Sequence, residues 1–233
     1  MRLHILTVGS CIRLTLALAS VVFAGLSNGA EPATKKTSDR QDVAIIVHQR
    51  GVKQRLTSVL DEKLGKEIEK IPGVVAATPG LVDFTSLEGQ EDDIVVVQGW
   101  AADSPLMKTL DIVSGRNLKK DDAKCLLLGK ELAAALKKKA GDKIQAYDKA
   151  AFTVVGIFQS PIVYESHGMV MLLPDLQRIM GCKGQVTGFA VIVNHPENKA
   201  EVDRIIKAIT ALGPKIDAKP MQKPPNETEK TER

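Results

Sequence analysis

The residue types that could support catalysis do not occur at the spacings that catalysis requires. Gly25-Leu26-Ser27-Asn28-Gly29 matches the Gly-x-Ser-x-Gly pattern of serine hydrolases. That pattern needs a strand before it and a helix after it, whereas here it lies between an apolar segment and a polar stretch. His48, His167 and His195 are scattered, and no two of them stand at metal-ligand spacing. We therefore predict neither a serine nucleophile nor a histidine metal site.

Acid–base and nucleotide chemistry have equally weak candidates. The adjacent acids Asp92-Asp93 and Asp121-Asp122 fall on predicted turns, where burial is too small to tune a carboxylate pair for catalysis. Gly65-Lys66 and Gly129-Lys130 are both followed by Glu instead of Ser or Thr, so the chain lacks a P-loop for phosphates. We predict a protein that is not an enzyme, binds no nucleotide and has no catalytic, cofactor-binding or metal-binding residue.

Composition argues for a globular domain that does not bind nucleic acid. Hydrophobic residues make up 44% and charged residues 26% of the 233, but aromatic residues only 3%, which leaves few rings on which bases could stack. Without residues 1–30, 30 basic and 28 acidic residues remain, and the one dense basic run, Lys137-Lys138-Lys139, suits a solvated helix end. Trp100, the only tryptophan, is predicted to pack at a junction between lobes or to serve as a ligand platform.

The first thirty residues are typical of an export signal. Arg2 and Arg13 precede the uncharged, apolar residues 14–26, which form either a signal peptide cleaved after Ala24 or Ala30 or a single N-terminal anchor. A polar linker is predicted at 31–42. We expect an exported protein in the periplasm or outside the cell, where Cys125 and Cys182 either form a disulfide or stay free.

Periodicity in the rest of the chain indicates an α+β fold. A strand at 43–47 is followed by an amphipathic helix at 56–71 and by strands from 74 and 94; a second amphipathic helix ends at Leu212. Strand-helix-strand at the start and strand-helix at the end, with mostly β material between them, predict a porter-like α/β lobe (43–88 with 186–212) and an inserted small β-rich lobe (about 90–185). Residues 213–233, rich in Pro, Lys and Glu, are predicted to be a disordered tail.

Several short segments occur in the order typical of one family. They are Ile71-Pro72-Gly73-Val74, Gln98-Gly99, Gly115-Arg116-Asn117-Leu118, Leu128-Gly129, Gly141-Asp142 and the strand 152–157, which contains Gly156. From about 43 to 212 the chain thereby resembles the MacB-like periplasmic core domain of FtsX/MacB-type ABC-transporter permeases, which include macrolide exporters and lipoprotein-release proteins. The matched positions are core aliphatic residues and the predicted turn glycines Gly73, Gly99, Gly115, Gly129, Gly141 and Gly156.

The resemblance implies a function in transport without catalysis. In that family the domain relays movement between an ATPase-driven membrane unit and partners outside the membrane. No apolar run near 18 residues follows Leu212, so we expect an accessory or detached component that docks on a membrane transport complex, with ABC ATPase and permease subunits or an adaptor as partners. The alternative is a periplasmic module that binds a lipid, peptide or small molecule between its lobes.

Overall fold

The computed structural model describes residues 43–52, 57–87, 90–147, 150–160 and 162–221, all within one compact unit from 36 to 233. The predicted leader (1–30), the linker (31–42) and the Gly25–Gly29 motif lie outside the described residues.

The described chain contains twelve strands and six helices. The strands are β1 (Val43–Gln49), β2 (Leu60–Asp61), β3 (Val74–Leu87), β4 (Gln90–Trp100), β5 (Asp111–Gly115), β6 (Cys125–Gly129), β7 (Lys143–Ala146), β8 (Ala150–Gln159), β9 (Met169–Leu172), β10 (Gln185–Val186), β11 (Gly188–Val193) and β12 (Ile216–Pro220). The helices are α1 (Leu64–Glu69), α2 (Pro105–Lys108), α3 (Lys130–Ala135), α4 (Val163–Ser166), α5 (Leu173–Ile179) and α6 (Lys199–Ala211).

Ten of these strands form one mixed sheet. Their order is β12-β1-β11-β3-β4-β9-β6-β8-β5, and β7 pairs with β8, while β2 and β10 form a separate pair. The first half of β3 pairs with β11 and its second half pairs with β4. This mixed sheet with few helices confirms the predicted α+β class. The lobe boundaries, 43–88 with 186–212 and about 90–185, stay a prediction.

Both amphipathic helices bury their apolar side chains against the sheet. Ile68 of α1 and Ile205 and Ile209 of α6 are fully buried, in one cluster with Ile45 and Phe189. The guanidinium of Arg204 on α6 donates a hydrogen bond of 2.7 Å to the carbonyl of Pro72, in the turn after α1. Burial of these stripes is what stabilises such short helices, since α1 has only six residues.

The first helix is shorter than its apolar spacing predicts. We predicted a helix over 56–71, but Leu60–Asp61 forms β2, paired with β10, and α1 begins only at Leu64. The Asp61 carboxylate accepts a hydrogen bond of 2.8 Å from the backbone N–H of Lys63, and the N–H of Glu62 donates to the carbonyl of Gly184. These bonds stabilise a turn where a helix was expected.

The predicted disordered tail is wrong for its first part. Residues 216–220 form β12, which pairs antiparallel with β1 and lies at the edge of the sheet. Ile216 and Ala218 are buried, whereas Asp217 and Lys219 between them are more exposed. The alternation is the period-two pattern of a half-buried strand, hidden in a stretch of prolines and charges. Residues 222–233 lie outside the described part of the chain.

Three further differences concern the middle of the chain. Asp92-Asp93, predicted to lie on a turn, fall within β4, which begins at Gln90. Strands β5 and β7 and helix α4, which have four or five residues each, were not predicted. Helix α3 ends at Ala135, before the run Lys137-Lys138-Lys139 that was expected to be a helix end, since Lys137 adopts a left-handed backbone with φ +53°.

Removing β12 tests the corrected boundary. A chain that ends after Leu212 should lose at least about 2 kcal/mol of unfolding free energy, because the contacts of Ile216 and Ala218 with the core are lost. A chain that ends after Met221 is the matched control and should keep the full value. Urea denaturation of both would measure the difference, and equal midpoints would show that β12 contributes nothing.

Candidate docking surface

The three histidines that sequence analysis considered lie apart, each beside a local partner. His48 of β1 is buried, with Nδ1 3.0 Å from the carbonyl of Gln49 and Nε2 3.8 Å from the Asp217 carboxylate. His167 Nδ1 lies 3.0 Å from the carbonyl of Val163, and His195 Nδ1 lies 3.4 Å from the Glu197 carboxylate. Within the described residues no group of three or more His, Cys, Asp or Glu side chains could hold a metal ion.

Asp122, one of the paired acids, has a structural contact that sequence analysis missed. It accepts hydrogen bonds of 2.6 and 2.9 Å from the Arg116 guanidinium and one of 2.8 Å from the backbone N–H of Lys119. The hydrogen bonds from Arg116 hold the pKa of Asp122 below its ordinary value, although partial burial acts in the opposite direction. The pair closes the loop between β5 and β6. Asp121 beside it is exposed.

The two cysteines are not bonded to each other. Cys125 begins β6 and Cys182 follows α5, and both are free thiols. Burial raises the pKa of each thiol, which lowers the fraction of reactive thiolate.

The six predicted turn glycines divide into two groups. Gly73, Gly115 and Gly141 adopt positive φ, as turn glycines do. Gly99, Gly129 and Gly156 lie instead in strands β4, β6 and β8. There the missing side chain allows close contact: Gly99 lies against Leu176, Gly129 against the carbonyl of Ser166, and Gly156 against the carbonyl of Arg116. The first group serves turns, the second serves close packing, and none of the six contributes a chemical group.

The outward side of the β3–β4 hairpin has a row of mostly apolar side chains that changes from buried to exposed along its length. Consecutive outward positions pair across the two strands: Val82 faces Gln98, and Phe84 faces Val96. Along β4 the exposed fraction rises from 4% at Trp100 and 9% at Gln98 to 77% at Ile94, and Phe84 on β3 is 44% exposed. We call the surface of Val82, Phe84, Ile94 and Val96 the hairpin face.

Trp100 marks the covered end of this row. It packs in a second buried cluster with Met107, Leu110, Leu118 and Val170, and its indole ring lies beside Gly80 of β3. Trp100 is therefore a core residue that helps to fix the segment after β4 on the sheet. The cover formed by this segment ends before Phe84 and Ile94.

The chain belongs to a known family. The model of the MacB-like periplasmic core domain matches residues 14–209, most of the chain. This protein is a member of the MacB-like periplasmic core domain family. The resemblance seen in the sequence is thereby confirmed, and the family consists of extracytoplasmic domains of MacB/FtsX-like ABC-transporter permeases.

Solved structures of permease domains share the fold. The periplasmic region of MacB from Actinobacillus actinomycetemcomitans is 12% identical with a TM-score of 0.58, over 77% of this chain and 88% of that one. The extracellular domain of the transporter YknZ from Gram-positive bacteria is 13% identical with a TM-score of 0.59, over 77% of this chain and all (100%) of that one. A domain of a putative permease from Porphyromonas gingivalis is 16% identical with a TM-score of 0.52, over 82% of this chain and 96% of that one.

A comparison with curated proteins finds no match. Among the helices of the described residues, none is both long and apolar enough to cross a membrane.

The contact between Arg116 and Asp122 predicts a pH dependence of stability. Because the pKa of Asp122 is lower in the folded state than its ordinary value of 3.8, the unfolded chain binds the proton more readily. The stabilisation is complete above pH 3.8 and is lost as the pH falls through the folded-state value. Asp122→Asn should reduce the loss of stability in acid, as measured by urea midpoints between about pH 3 and 7. Asp121→Asn is the matched control, and equal pH profiles for the two variants would contradict the assignment.

Proposed function

We propose that this protein is a non-catalytic extracytoplasmic component that docks on a membrane transport complex containing ABC ATPase and permease subunits. In this function it binds other proteins, transmits or limits their movement, and does no chemistry itself. Membership in the family of MacB-like periplasmic core domains supports an extracytoplasmic location at a transport complex. The position of the two chain ends is the structural observation that carries the proposal.

Both ends of the described chain leave the domain side by side. The backbone N–H of Met221 donates a hydrogen bond of 2.8 Å to the carbonyl of Ala44, and Ile45 faces Pro220 in the pairing of β1 with β12. The N-terminal segment and the C-terminal residues therefore depart from the same end of the sheet. A domain attached to a membrane from that end extends its remaining strands away from the bilayer.

The sequence before the domain supports attachment through the N-terminal segment. The family match begins at residue 14 and so includes the apolar segment. The uncharged stretch runs from Leu14 to Ala30, near the lower limit of about 17 residues for a membrane helix. Arg2 and Arg13 precede it, and basic residues favour the cytoplasmic side. We propose that this segment is retained as an anchor and that residues 31–42 are the tether.

The residues that could do chemistry have structural contacts instead. His48 is buried on β1 beside Asp217 of β12, Asp122 is held by Arg116, and burial raises the pKa of the thiols of Cys125 and Cys182. These contacts support a protein that works by binding.

Purification from the native host tests this function. The full chain, tagged at its C-terminus and extracted in mild detergent, should co-purify with an ABC ATPase and a permease in constant ratio. The matched control replaces residues 1–30 with a cleavable signal peptide, and it should retain less of the complex because the tether no longer raises the local concentration. Recovery of the wild-type chain without protein partners would contradict the proposal, and a bound small molecule in that sample would favour the ligand-binding alternative.

A further inference from the structure

The hairpin face is apolar, exposed and continuous with the buried core. Phe84 and Ile94 are 44% and 77% exposed, although they continue the row of outward positions that Trp100 and Gln98 occupy inside the protein. On the opposite side of the same strands, Leu81, Val95 and Val97 are buried in the main hydrophobic core. Exposed apolar surface in continuity with a core is a common feature of protein interfaces.

Helix α4, beside β4, also has exposed apolar and aromatic side chains. Gly168, just before β9, lies against the carbonyl oxygens of Val96 and Tyr164, so the C-terminal part of α4 is adjacent to β4. Val163 and Tyr164 of α4 are both exposed. Phe84 and Tyr164 are the exposed aromatic residues among those the structure describes, in a chain with only 3% aromatic residues. Aromatic side chains are enriched in the contact centres of interfaces.

The backbone of β4 is also open before Val96. Residues 97–100 pair with β9 and Val96 lies beside Gly168, whereas Gln90 and Val95 pair with β3 and with no other strand that the structure describes. An open strand edge can bind an extended segment of another protein by main-chain hydrogen bonds. Such a segment would lie directly beside Ile94.

The hairpin face is far from the chain ends. Val43 pairs with Ile192, and Ile192 pairs with Ala76, so the end of the sheet from which the chain departs is level with the start of β3. Phe84 lies eight residues further along β3, roughly 26 Å of strand at about 3.3 Å per residue. With the chain ends at the membrane, the hairpin face meets molecules outside the bilayer.

Charge in the sequence distinguishes between possible occupants. The stretch 88–93, where β4 begins, contains Glu88, Glu91, Asp92 and Asp93 and no basic residue. Two copies of the chain paired through β4 would bring these acidic stretches close together, and an anionic membrane surface would repel them. A partner with basic residues beside its apolar ones would be attracted.

We infer that the hairpin face, together with the open edge of β4, is the docking surface for an extended segment of an extracytoplasmic protein. That segment carries apolar side chains that cover Phe84 and Ile94, and basic side chains at its flank. The inference rests on the proposed function and specifies where the partner outside the membrane binds.

Site-specific photo-crosslinking in the native host tests the location. A photoreactive phenylalanine analogue at position 84 or 94 of the full chain should crosslink to one and the same exported protein, identified by mass spectrometry. Position 113 on β5 is the matched control, because Val113 is also an exposed strand residue but lies on an edge strand that β9, β6 and β8 separate from β4. It should not give that product. Crosslinks from 84 and 94 to lipid, to a second copy or to nothing would overturn the inference.

Binding of the purified partner to the purified full chain tests the energetics. Phe84→Ala and Ile94→Ser should each weaken the affinity about tenfold or more, whereas Val113→Ser should leave it unchanged. Raising the sodium chloride concentration should also weaken binding. Thermal unfolding of each variant would confirm that it folds. Unchanged affinity in the Phe84 and Ile94 variants would overturn the inference and leave the proposed function standing. Absence of any transport complex around the wild-type chain would instead remove the proposed function.

Discussion

The long strand β3 is the element on which the rest of the structure depends. Its 14 residues pair first with β11 and then with β4. The change of partner occurs at Gly80, whose carbonyl accepts hydrogen bonds of 2.9 Å from both the backbone N–H and the hydroxyl of Thr187. Trp100 packs beside the same glycine. One continuous strand therefore joins the part of the sheet that holds both chain ends to the part that carries the hairpin face.

The elements that sequence analysis predicted correctly are those whose apolar residues follow a regular, uninterrupted spacing. The buried positions of α6, Val202, Ile205 and Ile209, repeat at spacings of three and four, and the apolar strand cores of β1, β8, β9 and β11 stand between clear breaks. The helix predicted at 56–71 was too long because Leu60, Leu64 and Ile68 have helical spacing, yet Leu60 belongs to a strand and is buried. Strand β12 was missed because only Ile216 and Ala218 carry its signal, and their burial depends on a partner strand more than 160 residues earlier.

The exposure of the hairpin face was not predictable from local pattern. Val82, Phe84, Ile94 and Val96 alternate like the residues of any half-buried strand, and nothing in that pattern separates Ile94 from Trp100 six positions later. Only the path of the segment after β4, which covers Trp100 and ends before Phe84, decides which end of the row is exposed. The ordered glycines, by contrast, identified the family although three of them serve strand packing instead of turns.

The proposed orientation has the chain ends at the membrane and the hairpin face away from it. Energy transfer from a single fluorophore to labelled lipid headgroups measures this directly, with the full chain in liposomes and Cys11, Cys125 and Cys182 replaced by serine. One label is placed at Met221→Cys, beside the chain ends, which are level with Ala76 of β3. The other is placed at the exposed Ser86→Cys, roughly 33 Å further along β3 from Ala76. In the proposed orientation, transfer should be efficient from position 221 and weak from position 86. Equal transfer from the two positions, or stronger transfer from 86, would contradict it.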